Sequence, residues 1–326
     1  MHVIGYPEVA SALEGRELEV IDVVRRAYEL HDEGRSSVPH STFLRFPGDT
    51  RNRIIGLPAF LGGDRPAAGM KWIASFPDNI ATGLPRANAV LVLNSLSTGR
   101  PEALLEASLI SARRTAASAA LAARTLYANG EPDGVTLIGT GVINLEVLRF
   151  LCAVWPDLPS VTLFDTDPAR SASFAKRCAE VVPNAKIAVA DTVDAAVGAH
   201  HLICIATSAA TPHMNLAAAL PGSVVLHLSL RDLDTETILA NQNVVDDPDH
   251  AVRERTSLHL AEQVVGNRDF IDTTIGALCR GTSTFRPDPG RTVIFSPFGL
   301  GVLDVAVAQL VAESSVGVQI DNFLPA

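Results

Sequence analysis

Apolar and polar residues follow two different rhythms along this chain, and the change of rhythm divides it. From Glu17 to Glu33 the apolar positions Val20, Ile21, Val24, Ala27 and Tyr28 recur at helical spacing, with charges on the opposite face. This predicts an amphipathic helix stopped by Gly34. From Val38 to Phe60 the pattern turns to short β-type runs, including Arg53-Ile-Ile-Gly-Leu57, with breaks at Pro47-Gly48 and Gly62-Gly63. Strands are expected at Met70-Lys-Trp-Ile73 and at Ala89 to Asn94, separated by a polar loop through Asp78, Asn79 and Gly83. Ser97-Thr-Gly99 is a turn before Pro101. A helix followed by an antiparallel sheet is the expectation for this first third.

An alanine-rich helix, Ser108 to Tyr127, leads into the second rhythm. Short apolar strands at Val135–Ile138, Val161–Phe164, Ile187–Ala190, Leu202–Ala206, Val224–Leu228, Val244–Val245 and Thr292–Phe295 follow one another. Helical stretches at Leu145–Ala153, Phe174–Val182 and Val193–Val197 fall between the earlier ones. Strands alternating with helices predict a doubly wound parallel sheet. A last apolar helix, Val302 to Val311, lies beyond that sheet and is expected to return to the first region. The fold class expected is α/β, a Rossmann-type doubly wound parallel sheet over residues 119–296. It is inserted in an α+β first domain made of residues 1–118 and 297–326, to which the resemblance described below assigns substrate binding and dimerisation.

The segment Val135-Thr-Leu-Ile-Gly-Thr-Gly-Val-Ile-Asn144 drops from a β-branched run into Gly139 and Gly141 and then into a helix. The following strand ends at Asp165. Strand, glycine turn, helix, strand and acid is the order of a dinucleotide-binding βαβ unit. Gly139 permits the turn, and Gly141 lets the backbone approach a pyrophosphate at the helix N-terminus. A carboxylate at Asp165 accepts ribose hydroxyls and repels a 2′-phosphate, which favours NAD over NADP. The third glycine position holds Asn144. An ordinary βαβ crossover without a nucleotide is the alternative.

Composition narrows the partners. Hydrophobic residues make up 47% and charged residues 19%, a globular balance, and 326 residues suffice for about two cores. A formal net charge of −10 argues against nucleic acid and anionic membranes. The start, Met1-His-Val-Ile-Gly-Tyr-Pro, lacks a signal-peptide pattern, and the most apolar run, Ala116–Ala123, lies between Arg114 and Arg124. A cytoplasmic protein is expected. Cys152, Cys178, Cys204 and Cys279 are widely spaced and read as reduced, mostly buried thiols. They form no zinc-ligand cluster, and no metal is expected.

Three charged positions stand out. Lys71 lies inside an apolar run, two residues after Gly69; it is either a ligand-facing lysine or an edge-strand lysine whose head reaches water. Arg113 and Arg114 are adjacent on a helix, so one can face solvent while the other turns inward to bind a carboxylate. Asp232 follows the Val224–Leu228 strand, at the edge where open α/β sheets bind ligands. With Arg231 and Asp234 beside it, a solvated turn acid is the slightly favoured reading from the residues alone. His227, inside the strand, reads as a packed histidine.

Taken together, Gly69-Met-Lys71-Trp-Ile, Ala107-Ser-Leu-Ile-Ser-Ala-Arg-Arg114-Thr-Ala-Ala117, the glycine turn, Asp232 and Ser296-Pro-Phe-Gly resemble the ornithine cyclodeaminase/μ-crystallin family over nearly the whole chain. Arg53-Ile-Ile, Arg86-Ala, Glu106-Ala-Ser-Leu-Ile-Ser111 and Val244-Val-Asp-Asp247 with Arg253-Glu254 resemble its 2,3-diaminopropionate branch in siderophore or antibiotic biosynthesis. The substrate of that branch is N-(2-amino-2-carboxyethyl)-L-glutamate. The resemblance implies that Lys71 and Arg114 bind a substrate carboxylate beside the nicotinamide, that Lys71 and Asp232 are catalytic, and that Asp232 handles protons. It also implies a homodimer built through the first domain.

Arg45, Arg53 and Arg86 are candidates for the further carboxylates of such a multiply anionic amino-acid substrate. Cofactor contacts are expected from Arg114, Thr115, Gly139, Thr140, Gly141, Val142, Ile143, Asp165, Thr166, Thr207, Ser208, Ser229, Leu230, Phe298 and Gly299. The expected activity is NAD-dependent oxidation at the secondary amine, giving 2,3-diaminopropionate, 2-oxoglutarate and NADH. Ornithine cyclodeamination, ketimine reduction and μ-crystallin-like ligand binding without catalysis are the alternatives.

Overall fold

The computed structural model describes residues 1–49, 51–128, 130–315 and 317–325. The chain separates into two compact units, Met1–Arg114 with Gly299–Ala326, and Thr115–Phe298.

The first unit begins with β1 (His2–Ile4), α1 (Tyr6–Leu13), α2 (Glu17–Asp32), β2 (Ser36–Ser37), β3 (Thr42–Arg45), β4 (Arg53–Leu61), β5 (Ala67–Ser75), β6 (Ala87–Asn94) and β7 (Pro101–Glu106). It also contains the start of α3 (Ser108–Leu126). α2 buries the stripe expected of it, Val20, Ile21, Val24, Ala27 and Tyr28, and the chain leaves it through Gly34 at φ +70°. β7 is a strand that the pattern reading does not place, since it begins at a proline. Pro101 is tolerated as the first residue of the strand, and Ala103 and Leu105 alternate inward behind it.

The second unit contains β8 (Val135–Ile138), α4 (Val142–Val154), β9 (Ser160–Phe164), α5 (Pro168–Val181), β10 (Lys186–Val189), α6 (Val193–Val197), β11 (Leu202–Ile205) and β12 (Val224–His227). α7 (Thr235–Ala240), β13 (Gln242–Val245), α8 (Pro248–Ala251), α9 (Ser257–Val265), β14 (Ile271–Thr274), α10 (Ile275–Arg280) and β15 (Val293–Ser296) complete it. Its sheet is parallel throughout, in the order β10-β9-β8-β11-β12-β15-β13-β14. The order reverses between β8 and β11, which makes that edge the switch point of a Rossmann-type sheet. All four residues of β8, β11, β12, β13 and β15 are buried, as strands covered on both faces require.

α5 starts at Pro168, well before the expected Phe174, because Asp167 caps the amides of Ala169 and Arg170. α7, α8 and α10 are too short to show a clear apolar period, and each of α7 to α10 is started by a side-chain cap, from Asp234, Asp247, Thr256 and Thr274.

The chain then returns to the first unit as α11 (Gly301–Ser314) and β16 (Val318–Gln319). The first unit's sheet runs β16-β1-β7-β6-β5-β4-β2, with β3 also paired to β4. Its ladders are antiparallel except for β1 with β7. α11 lies on one face of this sheet, against β4, β5, β6 and α2, and is buried almost all round. Gly301 makes the approach possible, because a Cβ there would sit 3.2 Å from both Ala59 Cβ and the Leu57 carbonyl. No helix among the described residues is long and apolar enough to cross a membrane. Cys178 and Cys204 are buried, while Cys152 and Cys279 are only partly so.

Candidate active site

The second unit carries the glycine turn at the end of β8. Gly139 has φ +91°, and a Cβ on it would lie 2.5 Å from the Ala206 carbonyl, so no other residue fits. Gly141 faces open space instead, and it begins α4 without any side-chain cap. The first amides of α4 are therefore left for an external anion, whereas α5 to α10 all carry side-chain caps.

Asn144 in the third glycine position is fully buried, and its Nδ2 donates to the carbonyls of Ile138 (2.9 Å) and Gly139 (2.6 Å). It thus ties the turn from inside, where a glycine would only have made room. Asp165 Oδ2 accepts from the Thr140 amide (2.9 Å) and hydroxyl (2.6 Å), and Oδ1 accepts from the Asp167 amide (3.1 Å). Burial acts to raise the Asp165 pKa, but these bonds overcome it and hold the group below its ordinary value. An open glycine, an uncapped helix and an ionised acid on the next strand fit a dinucleotide. Val142, Thr166 and Ser208 are exposed, and Ile143 and Thr115 are half-buried.

On the same unit, β12 ends in His227, and Asp232 returns to it. Asp232 is fully buried, so the solvated turn acid favoured by the residues alone is not what the fold makes. Its Oδ1 accepts from Thr207 Oγ1, and its Oδ2 from Ser229 Oγ and, at 3.2 Å, from His227 Nε2. The proton on Nε2 is assigned from the facing carboxylate. Burial pushes the Asp232 pKa up, and the His227, Ser229 and Thr207 contacts outweigh it, leaving the group at about 2. His227 Nδ1 lies 3.2 Å from Ser296 Oγ on β15, so this fully buried histidine has a polar partner at each ring nitrogen. The turn bends through Leu230 at φ +67°, and Arg231 pins it by donating to the Glu254 carbonyl. Phe298 is fixed by its amide to Asp246 Oδ1 (2.9 Å).

The first unit carries a cluster of buried charge. Lys71 is 1% exposed on β5, an interior strand, which rules out the edge lysine with a solvated head. Its Nζ lies 2.8 Å from Asp304 Oδ2 on α11 and donates to Ser111 Oγ at 3.0 Å. Arg114 Nε donates to Asp304 Oδ1 at 3.0 Å. Glu106 caps α3 through the amides of Ser108 (2.6 Å) and Leu109 (3.2 Å), and from that start Ser111 and Arg114 share a helix face. Burial pushes the Lys71 pKa down, Asp304 opposes this, Arg114 adds to it, and the result is about 8.

Gly299, at φ +93°, packs against Arg114; a Cβ there would meet Nη1 at 2.7 Å. Arg113 does not face solvent as one of an adjacent pair was expected to. It is buried too, and donates to the Leu13 carbonyl, because α1 covers that side of α3.

The same unit places Arg45, Arg53 and Arg86 at one end of its sheet. Arg45 is exposed over the Phe43 ring, while Arg53 and Arg86 are half-buried. Asp304 and Ser111 are the residues that sequence reasoning missed. A signal for Asp304 was present, as the one carboxylate in the apolar run Val302–Val311, since a charge in such a run requires a partner.

The model of the ornithine cyclodeaminase/mu-crystallin family matches residues 8–319. The N-((2S)-2-amino-2-carboxyethyl)-L-glutamate dehydrogenase of Staphylococcus aureus is 27% identical, over 90% of this chain and 89% of its own. The Delta(1)-pyrroline-2-carboxylate reductase of Bacillus cereus is 26% identical over 94% and 96%. An archaeal alanine dehydrogenase dimer, solved with bound NAD, superposes with a TM-score of 0.88 at 25% identity, covering 99% of each chain.

Proposed function

Because the chain belongs to the ornithine cyclodeaminase/mu-crystallin family, we propose that it is an NAD-dependent amino-acid dehydrogenase acting on N-(2-amino-2-carboxyethyl)-L-glutamate. The observation that carries this reading is the buried trio Lys71, Arg114 and Asp304, two cations on one carboxylate. The trio holds one positive charge in excess, and a buried net charge calls for a counter-ion. A substrate carboxylate supplies it, with Arg114 and Lys71 as donors. The name of the S. aureus relative supports the choice of substrate. A cyclic imine carboxylate, as in the B. cereus reductase's name, brings a single carboxylate. The further cations Arg45, Arg53 and Arg86 favour a substrate with several.

The turn Gly139–Gly141 and Asp165 are the residues that would hold NAD, which when bound would supply the hydride acceptor. Lys71 and Arg114 fix the carboxylate on the reacting carbon, a positioning role worth several kcal/mol of barrier. The secondary amine gives up its proton, the glutamyl Cα–H bond breaks with loss of hydride, and the C–N bond becomes an imine. Water adds to that carbon, the C–N bond breaks, and 2,3-diaminopropionate and 2-oxoglutarate leave with one NADH and one proton. A carboxylate at about 2 holds a proton only in passing, so the lasting contribution of Asp232 is negative charge that stabilises the positive charge building on the nitrogen as hydride leaves. Lys71, at about 8, is the group poised to change protonation near neutral pH.

We also read the chain as one half of a homodimer joined through the first unit. Phe60, Met70, Trp72 and Val90 stand exposed on the sheet face away from α11, an apolar strip of the kind that a second copy covers.

The test is NADH absorbance with mass spectrometry of the products. The conjugate should give NADH and 2-oxoglutarate in equal amount, and ornithine neither proline nor ammonia. Proline from ornithine, with no NADH from the conjugate, moves the reading to cyclodeamination. NADH consumption with a cyclic imine alone moves it to reduction, and binding without any turnover moves it to a ligand-binding protein.

A further inference from the structure

The hydrolytic half of the proposed reaction exchanges a proton between two atoms. Water adds to the imine carbon and gives a carbinolamine. As that species collapses, its nitrogen must gain a proton for the C–N bond to break, and its hydroxyl must lose one as the C=O bond forms. A group on the protein that lends the first proton and recovers the second speeds both steps. Asp232, held at about 2, is almost never protonated near neutral pH, so it can pass a proton on but has none to lend.

β12 ends in His227, whose side chain is fully buried. Its Nε2 meets two groups of one residue, the Asp232 carboxylate at 3.2 Å and the Asp232 amide at 3.3 Å. They ask opposite things of the nitrogen, because a carboxylate requires a proton on it and an amide N–H requires its lone pair. Ser296 Oγ stands 3.2 Å from Nδ1. Among the described residues these are the ring's hydrogen-bond partners.

Two forms of the ring therefore find a partner at both nitrogens. The imidazolium donates from Nε2 to Asp232 Oδ2 and from Nδ1 to Ser296 Oγ. The neutral ring with its proton on Nδ1 keeps the Ser296 bond and accepts from the Asp232 amide. Nothing has to turn between the two forms, since Ser296 accepts in both and the other partners belong to one residue. A buried polar atom left unpaired costs on the order of 1–3 kcal/mol, and this ring changes protonation without leaving one. The Thr207 and Ser229 hydroxyls continue to donate to the Asp232 carboxylate in either form. A histidine kept for packing needs partners for one form only.

We infer that His227 is a proton store acting through Asp232, lending a proton to the leaving nitrogen and taking one back from the carbinolamine hydroxyl. The Nε2–H bond breaks as an Asp232 O–H bond forms, and that bond breaks in turn as the nitrogen gains the proton. The C–N bond breaks with its electron pair going to nitrogen, and the hydroxyl oxygen closes the C=O bond. The hydroxyl proton returns through Asp232 to Nε2, so the ring ends as it began. This use in hydrolysis rests on the reaction proposed above; the two paired forms of the ring do not.

The experiment follows NADH by stopped flow after the NAD-loaded protein is mixed with the conjugate. His227→Gln keeps an amide that can donate to Asp232 and has no proton to lend. Its first turnover should form one NADH per site at close to the wild-type rate, because hydride transfer precedes the step that needs the store. Later turnovers should slow by roughly 10²-fold. Ser296→Ala removes the acceptor at Nδ1 and should show the same burst with a smaller slowing, which keeps the test decisive should His227→Gln fail to fold. First and later turnovers slowed by one factor overturn the store, since a ring that only holds Asp232 in place affects both; so does an absence of any slowing. Nitrogen NMR of protein carrying isotope-labelled histidine needs no turnover, and the His227 ring is assigned by its loss in His227→Gln. Lowering the pH should convert a ring protonated at Nδ1 alone into one protonated at both nitrogens. A neutral ring protonated at Nε2, or one form throughout the titration, overturns the store. If the conjugate is not oxidised, the reaction reading falls and the ring spectrum decides the store.

Discussion

Lys71 Nζ and Asp304 Oδ2 face each other at 2.8 Å, on a strand and a helix that are far apart in the chain, and solvent reaches neither side chain. The lysine is held at about 8, below its ordinary 10.5. If it anchors a carboxylate as a cation, affinity for an unreactive acid such as 2-oxoglutarate is flat at neutral pH and falls above about 8. Calorimetric titration across that range checks it, and affinity that rises there would assign the anchor to neutral lysine. Asp304→Asn should move the break to lower pH. The same depression means that the unfolded chain binds more protons between about 8 and 10.5, so this group's contribution to stability improves as pH rises through that window.

Gly299→Ala tests how closely Arg114 is set. The added methyl meets Nη1 at 2.7 Å in a left-handed backbone. A destabilisation of about 1–2 kcal/mol is expected from the backbone alone. Carboxylate affinity should fall roughly tenfold as the guanidinium shifts, about 1.4 kcal/mol. Thermal melts and a pyruvate titration separate the two effects. Full affinity in a destabilised variant would mean that Arg114 does not hold the acid.

Asp165 should make NAD bind at least tenfold better than NADP, a difference of about 1.4 kcal/mol. Arg170 Nε lies 3.9 Å from its carboxylate, ready to meet a phosphate once the acid is gone. Asp165→Ser should therefore narrow the gap, while also weakening NAD because Thr140 loses its acceptor. Parallel titrations of both cofactors decide it, and equal affinities in wild type would refute the assignment.

Asp232→Asn keeps the shape of the site and removes its charge. Turnover should drop by roughly 10²-fold or more with NAD binding retained. Intact turnover would leave Asp232 a structural acid. Its folded pKa of about 2 lies below the ordinary 3.8, so its contribution, on the order of 2 kcal/mol, is present above 3.8 and lost as pH falls through about 2. Acid unfolding of the Asn variant should lack that share of the pH dependence.

The glycine turn, the β8-α4-β9 order and the return of the last helix were legible because each is written in contiguous residues. Lys71 and Arg114 were legible as candidates, but what they do depends on Asp304, which no spacing rule connects to them. The same holds for Asp232. Its neighbours Arg231 and Asp234 suggest a wet turn, whereas its actual partners, Thr207, Ser229 and His227, converge from the ends of two strands. Asn144 departs from a pattern that counts glycines, and the hydrogen bonds that replace the glycine's function are visible only in three dimensions. Short helices such as α8 and α10 escape because a single turn or so has no period to read.

The first unit is assembled from the two ends of the chain, and this sets an order on its synthesis. While a ribosome is still making the chain, residues 115–298 emerge complete before α11 exists. Until then the sheet of the first unit lacks the helix that covers it, and Lys71 and Arg114 lack their carboxylate. Charged groups without a partner stay in water, so this sheet face must remain hydrated, and its apolar residues accessible to chaperones, through most of translation. A nascent chain stopped at Phe298 should bind a hydrophobic-segment chaperone, and release should follow addition of the last residues through Ser314.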